Sequence, residues 1–145
     1  MTHDTKQDEN KLIAERRRKL DALRENGSAF PNDFRRNATA DELHQTFHEH
    51  DNDSLAQEKV AVAVAGRMMA KRVMGKAAFI KLQDRSGQIQ VRLERDRLPE
   101  GIYQDFKKWD VGDIVGARGV LFRTQTGELT VMAQELRLLT KSLRP

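Results

Sequence analysis

Cysteine is absent from this chain of 145 residues, so no disulfide framework, thiolate metal site or cysteine nucleophile can be built from it. The absence agrees with a reducing compartment, and a cytoplasmic location is expected. No stretch approaches the roughly 20 apolar residues of a membrane-spanning helix. The opening MTHDTKQDEN is polar and of mixed charge, unlike a signal peptide. Glycine-rich phosphate loops are missing: Gly66 and Gly75 fit neither a Walker A nor a GxGxxG spacing. No serine lies in a nucleophile elbow, and the carboxylates sit among bases rather than as an acid–base pair. The histidines are His3, His44, His48 and His50. His44 and His48 stand four apart, a possible metal pair on a helix, but no third ligand stands out beyond surface acids, and a solvated helix face accounts for them. No catalytic residue, metal or cofactor is therefore expected of this chain.

What is present is an uneven charge. The formal net charge is +4. Residues 1–58 carry 9 Lys/Arg and 13 Asp/Glu, a net −4, whereas residues 59–145 carry 17 and 9, a net +8. A polyanion is a reasonable partner for the C-terminal part, although a basic solvated surface has the same composition. The length suits one compact domain with an appendage.

Residues 1–9 read as a disordered tail. Residues 10–25 read as a helix, with Leu12, Ile13, Leu20 and Leu23 in a partial stripe and Asn26-Gly27 as its stop. Phe30 and Phe34 flank Pro31 in a loop and read as exposed. Thr39 and Glu42 form a capping box that starts a second helix near Ala40, with Leu43 and Phe47 on its buried face and a polar end at HEHDNDS. Residues 10–58 are thus a helical N-terminal extension. From Lys59 the apolar period falls to two. Val60, Val62 and Val64, then Ala78, Ile80 and Leu82, then Ile89, Val91 and Leu93, then a strand over roughly Ile114–Arg123, then Leu129 and Val131 mark five half-buried strands. Turns fall at Gly75-Lys76, Arg85-Ser86-Gly87 and Thr124–Gly127, and PEGIYQDFKKW supplies a helix between the third and fourth strands. The order predicts a mainly β protein. Its expected fold is a five-stranded Greek-key barrel of the OB-fold type over residues 59–145, an architecture that binds oligonucleotides or oligosaccharides on one side.

Parity singles out one face. With Ala78, Ile80 and Leu82 inward, Phe79 points outward beside Lys81 and Gln83. With Ile89, Val91 and Leu93 inward, Gln90 and Arg92 point outward. The tight turn pairs these strands antiparallel, so Phe79 and Gln90 share a surface. A wet phenylalanine is costly unless something covers it, and a stacked base would do so. An amide can read the edge of an unstacked base, and Lys81 and Arg92 would offset phosphates. The alternative is that Phe79 packs under the N-terminal extension. In the first strand, with Arg67, Lys71 and Arg72, strict alternation would bury Arg72. A charged inward residue is improbable, so a bulge or bend near Gly66 is expected.

RRRKLDALRENGSAFPNDF (16–34), GRMMAKRVMGKAAFIKLQDRSGQIQV (66–91), KKWDVGDIVGARGVLFRTQTGELTV (107–131) and ELRLLTKSLRP (135–145) make the chain closely similar to the N-terminal, anticodon-binding region of bacterial class II lysyl-tRNA synthetases. The resemblance implies that the barrel reads the uridine-rich anticodon of lysine tRNA. It further implies that Phe79 stacks on a base, that Gln90 reads the central uridine, that Arg72 binds the anticodon and that Glu128 contacts an anticodon base. Arg67, Lys76, Lys81 and Arg92 are the expected supporting RNA contacts. The three class II motifs are not in this sequence, so ATP, magnesium, lysine and the aminoacylation chemistry are expected to belong to a catalytic domain outside it. The parent enzyme is expected to be a homodimer and the isolated domain a monomer, with no membrane partner. Two other readings stay open: a general single-strand-binding barrel, and a protein-interaction or dimerisation module.

Overall fold

The computed structural model describes residues 34–142. The expected tail at 1–9, the expected helix over 10–25 and Phe30 lie outside the described residues. Within them the elements are α1 (Ala40–Thr46), α2 (Asn52–Glu58), β1 (Ala61–Met74), β2 (Ala77–Gln83) and β3 (Gln88–Glu94). A 3-10 turn (Arg95–Arg97), α3 (Ile102–Phe106), β4 (Ile114–Arg123) and β5 (Leu129–Thr140) follow. No helix among the described residues is long and apolar enough to cross a membrane.

The capping box forms as expected. Thr39 Oγ1 accepts from the Glu42 amide at 3.3 Å, and Glu42 Oε1 accepts from the Thr39 amide at 2.9 Å, which satisfies otherwise orphaned groups of the first turn. The polar end read into HEHDNDS is incomplete, because a second helix starts inside it. Asp51 caps α2, its carboxylate accepting from the Ser54 amide at 2.9 Å. One fully buried residue, Leu55, anchors that helix. Seven residues with a single apolar anchor are too short to display a helical period, which is why the pattern missed it.

The five strands close into a barrel in the order β1-β2-β3-β5-β4. All pairs are antiparallel except β3 with β5, the Greek-key arrangement expected. Inward residues fill the interior: Val62, Val64 and Met68 from β1, Ala78, Ile80 and Leu82 from β2, Ile89, Val91 and Leu93 from β3. Val115, Ala117 and Leu121 come from β4, and Leu129, Val131, Ala133, Leu136 and Leu138 from β5. Closure gives every strand a neighbour on both sides.

The bulge needed in β1 exists, but not at Gly66. Met68 pairs with Leu82 and Ala70 with Lys81, so Met69 is the extra residue. It restores Arg72 to the outer face, in register with Phe79. Gly66 instead serves a close approach: a Cβ there would lie 2.6 Å from the Gln83 carbonyl oxygen. After the bulge Lys71 takes the inward parity, opposite Ile80. Its Nζ leaves the apolar interior by reaching the end of the barrel, where it donates to the carbonyls of Phe106, Lys107 and Trp109 at 3.1, 3.0 and 2.7 Å. These sit at and just beyond the C-terminal end of α3, where a cation is favoured. Burial lowers the Lys71 pKa, against the opposing pull of Asp110 and Asp113. Tyr103, Phe106 and Trp109 plug the same end, with the Tyr103 hydroxyl donating to the Gly75 carbonyl at 2.9 Å. Beside them the buried Lys141 Nζ lies 2.8 Å from Asp113 Oδ2 and 3.0 Å from Asp110 Oδ2.

The described part of the extension lies along one side of the barrel. Asn37 brackets β1, its amide donating to the Ala63 carbonyl and its Oδ1 accepting from the Ala63 amide, both at 2.9 Å. Phe34 is buried, not exposed as expected: its ring fills the space above Gly116, where a Cβ would come within 2.8 Å of it, and Arg118 covers it with its guanidinium carbon 4.5 Å from the ring centroid. Arg123 ties the α1–α2 connection to the β4–β5 hairpin through the carbonyls of Phe47, His50 and Gly127.

Candidate nucleic-acid interface

The outer surface of β1, β2, β3 and β5 carries the residues that parity selected. Backbone register arranges them in two adjacent rows. One row runs Arg72, Phe79, Arg92, Met132; the next runs Ala70, Lys81, Gln90, Thr130. Phe79 and Gln90 are therefore diagonal neighbours on paired strands, within reach of one another's ligands. The alternative that Phe79 lies under the extension gains no support among the described residues. The extension engages β1 through Asn37, the β2–β3 turn through α1, and β4 through Phe34 and α2, whereas Phe79 is half-buried beside Arg92.

The turn between β2 and β3 sets this geometry. Asp84 Oδ1 accepts from the Ser86 amide and hydroxyl at 2.8 and 2.7 Å and from the Gly87 amide at 3.1 Å. Its Oδ2 accepts from the Ala40 amide at 2.8 Å, which docks the start of α1 on the hairpin. Burial works to raise the Asp84 pKa, but the hydrogen bonds from Ser86, Ala40 and Gly87 outweigh it and hold the carboxyl below its ordinary range. His44 fastens α1 further, its Nε2 lying 2.8 Å from the Gln88 carbonyl.

Around Phe79 the structure adds a contact that parity could not foresee. The Arg92 guanidinium carbon lies 5.1 Å from the centroid of the Phe79 ring. Arg92 Nε is in turn 2.7 Å from Glu94 Oε2, and Arg97 Nε is 2.7 Å from Glu94 Oε1. The Arg92 hydrogen bond, with that of Arg97, draws the Glu94 carboxyl below its usual pKa against the effect of burial. Arg92 thus steadies the ring, and a carboxylate already answers its charge. Arg72 is exposed in the same row, without an ion-pair partner among the described residues. Lys81 sits half-buried beside Gln90, and Lys76 is exposed in the β1–β2 turn. Arg67 turns away from the two rows, donating from a terminal nitrogen to the Gly112 carbonyl at 2.7 Å. It lines a cleft with Arg36, Arg85, Gln83 and Asp84 at the border of the face.

Gln90 Nε2 donates to Thr130 Oγ1 at 3.1 Å, and the Thr130 hydroxyl donates to the Glu128 carbonyl at 3.0 Å. Glu128, half-buried, immediately precedes β5, two residues before Thr130, and its amide is held by Thr124 Oγ1 at 3.2 Å. The fold therefore gathers Arg72, Phe79 and Gln90 on one face, with Lys81 and Arg92 among them, Lys76 at one end, Arg67 at the border and Glu128 just before the start of β5. Thr130 was not singled out from the sequence. Outward threonines are ordinary in strands, and only the parallel pairing of β3 with β5 puts this one beside Gln90.

Residues 62–139 match the profile of a family described as OB-fold nucleic acid binding domain. The chain is also 60% identical over 139 residues to a lysine–tRNA ligase of Thioalkalivibrio sulfidiphilus, covering 96% of this chain and 28% of that protein. It is 60% identical over 139 residues to a heat-inducible lysine–tRNA ligase of Escherichia coli K12, covering 95% and 28%. With a lysine–tRNA ligase of Cupriavidus pinatubonensis it shares 62% identity over 138 residues, covering 95% and 27%. The chain spans a little over a quarter of the length of these relatives.

Proposed function

The chain belongs to the family of OB-fold nucleic acid binding domains, and we propose that it is the anticodon-binding module of a lysine–tRNA ligase. One observation carries the reading: an outward aromatic, Phe79, stands diagonally next to an outward amide, Gln90, on a face bordered by Arg72 and Lys81. A base stacked on Phe79 would cover apolar surface left wet in the free protein. Gln90 lies within reach of the Watson–Crick edge of a splayed base. Arg72, Lys76 and Lys81 supply charge for the flanking phosphates, and Glu128 offers an acceptor at the edge of the face. The high identity to lysine–tRNA ligases supports lysine tRNA, with its uridine-rich anticodon, as the RNA. ATP, magnesium, lysine and the ligase chemistry belong in this reading to the remainder of the parent protein, a cytoplasmic homodimer.

The test is titration of the chain with an RNA hairpin carrying the lysine anticodon, against the same hairpin with its central base changed. Tighter binding of the lysine sequence is expected. Phe79→Ala is expected to weaken binding by about 1–3 kcal/mol. Equal affinity for both hairpins would instead identify a general single-strand binder, and no binding at low salt would exclude the RNA reading.

A further inference from the structure

We propose that Thr130 is a positioning residue that locks the Gln90 amide in the orientation complementary to uracil and opposed to cytosine. The inference rests on the reading of Gln90 as a base-contacting residue and adds what sets its selectivity.

A threonine hydroxyl has one hydrogen to donate. Thr130 has no exposure to solvent, and its hydroxyl lies 3.0 Å from the Glu128 carbonyl oxygen, which can only accept. That bond consumes the proton. Toward Gln90, 3.1 Å away, Thr130 Oγ1 offers a lone pair alone. While that bond is made, the amide nitrogen faces Thr130, as it does in the structure, since an amide oxygen there would meet a second acceptor. Among the described residues no donor engages Gln90 Oε1. Gln90 thus presents its oxygen and its second N–H in a fixed order.

That order matters because the two pyrimidines are opposite in pattern. Uracil offers an N3–H donor beside a carbonyl acceptor. Cytosine offers an N3 acceptor beside an amino donor. Along the N3–C4 side of the base an amide matches one or the other according to its flip, and the terminal torsion of glutamine is broad and nearly two-fold. An untethered Gln90 would turn over and serve both. The tether makes the wrong base leave polar groups unpaired, a loss that discriminates strongly in a partly dry site.

The experiment compares two RNA hairpins identical except for uridine or cytidine at the central loop position, titrated against the full chain. Thr130→Val keeps the shape and removes the acceptor. It is expected to reduce the preference for uridine about tenfold, chiefly by tightening the cytidine hairpin. Thr130→Ser restores the hydroxyl and is expected to restore the preference. If Thr130→Val keeps the full preference while Gln90→Ala loses it, the positioning role is wrong and the base-reading role stands. If Gln90→Ala also keeps it, the base-reading role is wrong and the positioning role falls with it. Should Thr130→Val not fold, NMR of the unaltered chain decides. Cross-relaxation between the Gln90 side-chain amide protons and the Thr130 methyl is expected, and its absence overturns the tether.

Discussion

At the scale of residues, the basic side chains of the face are not equivalent. Arg92 lies over Phe79 and is paired with Glu94, so little of its charge is left for RNA. Arg72 is exposed in the same row. Counterion release depends on how many phosphates are neutralised, with a slope of roughly 0.7 per contact on single strands. Arg72→Gln is therefore expected to lower the slope of log affinity against log salt by about 0.7. Arg92→Gln is expected to weaken binding with the slope nearly unchanged, because it removes a support of the stacking ring rather than a free charge. Affinity measured over a series of salt concentrations checks both. Equal slope losses would show that Glu94 does not hold Arg92 in the complex.

At the scale of elements, Asp84 joins the start of α1 to the β2–β3 hairpin, alongside His44 and Ser86. Removing its carboxylate with Asp84→Ala is expected to cost about 0.5–2 kcal/mol, the range for lost helix-start acceptors. The folded pKa lies below the ordinary 3.8, so the ionised form is the one that the native state favours. Its contribution is complete above the unfolded pKa and disappears as pH falls through the lower folded value. The stability gap between the native chain and Asp84→Ala should thus be widest at neutral pH and close below about pH 4, as thermal unfolding across pH would reveal. The crossing of β1 over the end of β2 gives a second prediction. Gly66→Ala puts a methyl 2.6 Å from the Gln83 carbonyl oxygen, and the backbone must give way. A loss of about 1–3 kcal/mol is expected in denaturant unfolding; a neutral result would mean that the strands separate there freely.

At the scale of the whole molecule, the closed end of the barrel is held by buried charge and not by apolar contact alone. Lys141 and Asp113 are both buried, joined at 2.8 Å, and the Ser142 amide donates to Asp113 Oδ1 at 2.7 Å. Lys141→Met leaves a fully buried carboxylate without this cation and is expected to cost about 3–5 kcal/mol in urea unfolding. Adding Asp113→Asn to it should recover part of the loss, since the pair is then removed together rather than broken. This network and the aromatic plug lie at the end of the barrel, while the rows of Phe79 and Gln90 lie on its side. RNA affinity measured below the unfolding temperature should accordingly change little.

Much of this protein is legible one strand at a time. Alternation alone assigns an inside and an outside to each short segment, because successive side chains of a strand point to opposite faces. That is enough to set Phe79 and Gln90 outward, to demand a bulge in β1 so that Arg72 can follow them, and to recognise five strands with a helix before the fourth. Alternation is local, however, and says nothing about what lies across a strand pair. The bulge fell at Met69, and Lys71 rather than Arg72 took the inward parity, escaping to the carbonyls beyond α3. Phe34 found a cover in the cleft above Gly116. The guanidinium over Phe79 and the hydroxyl behind Gln90 depend on which strands become neighbours, and Thr130 reaches Gln90 only by the closure of β5 onto β3. Outward residues were therefore determined by the sequence; what each outward residue touches, and hence which way Gln90 faces, was decided by the closing of the barrel.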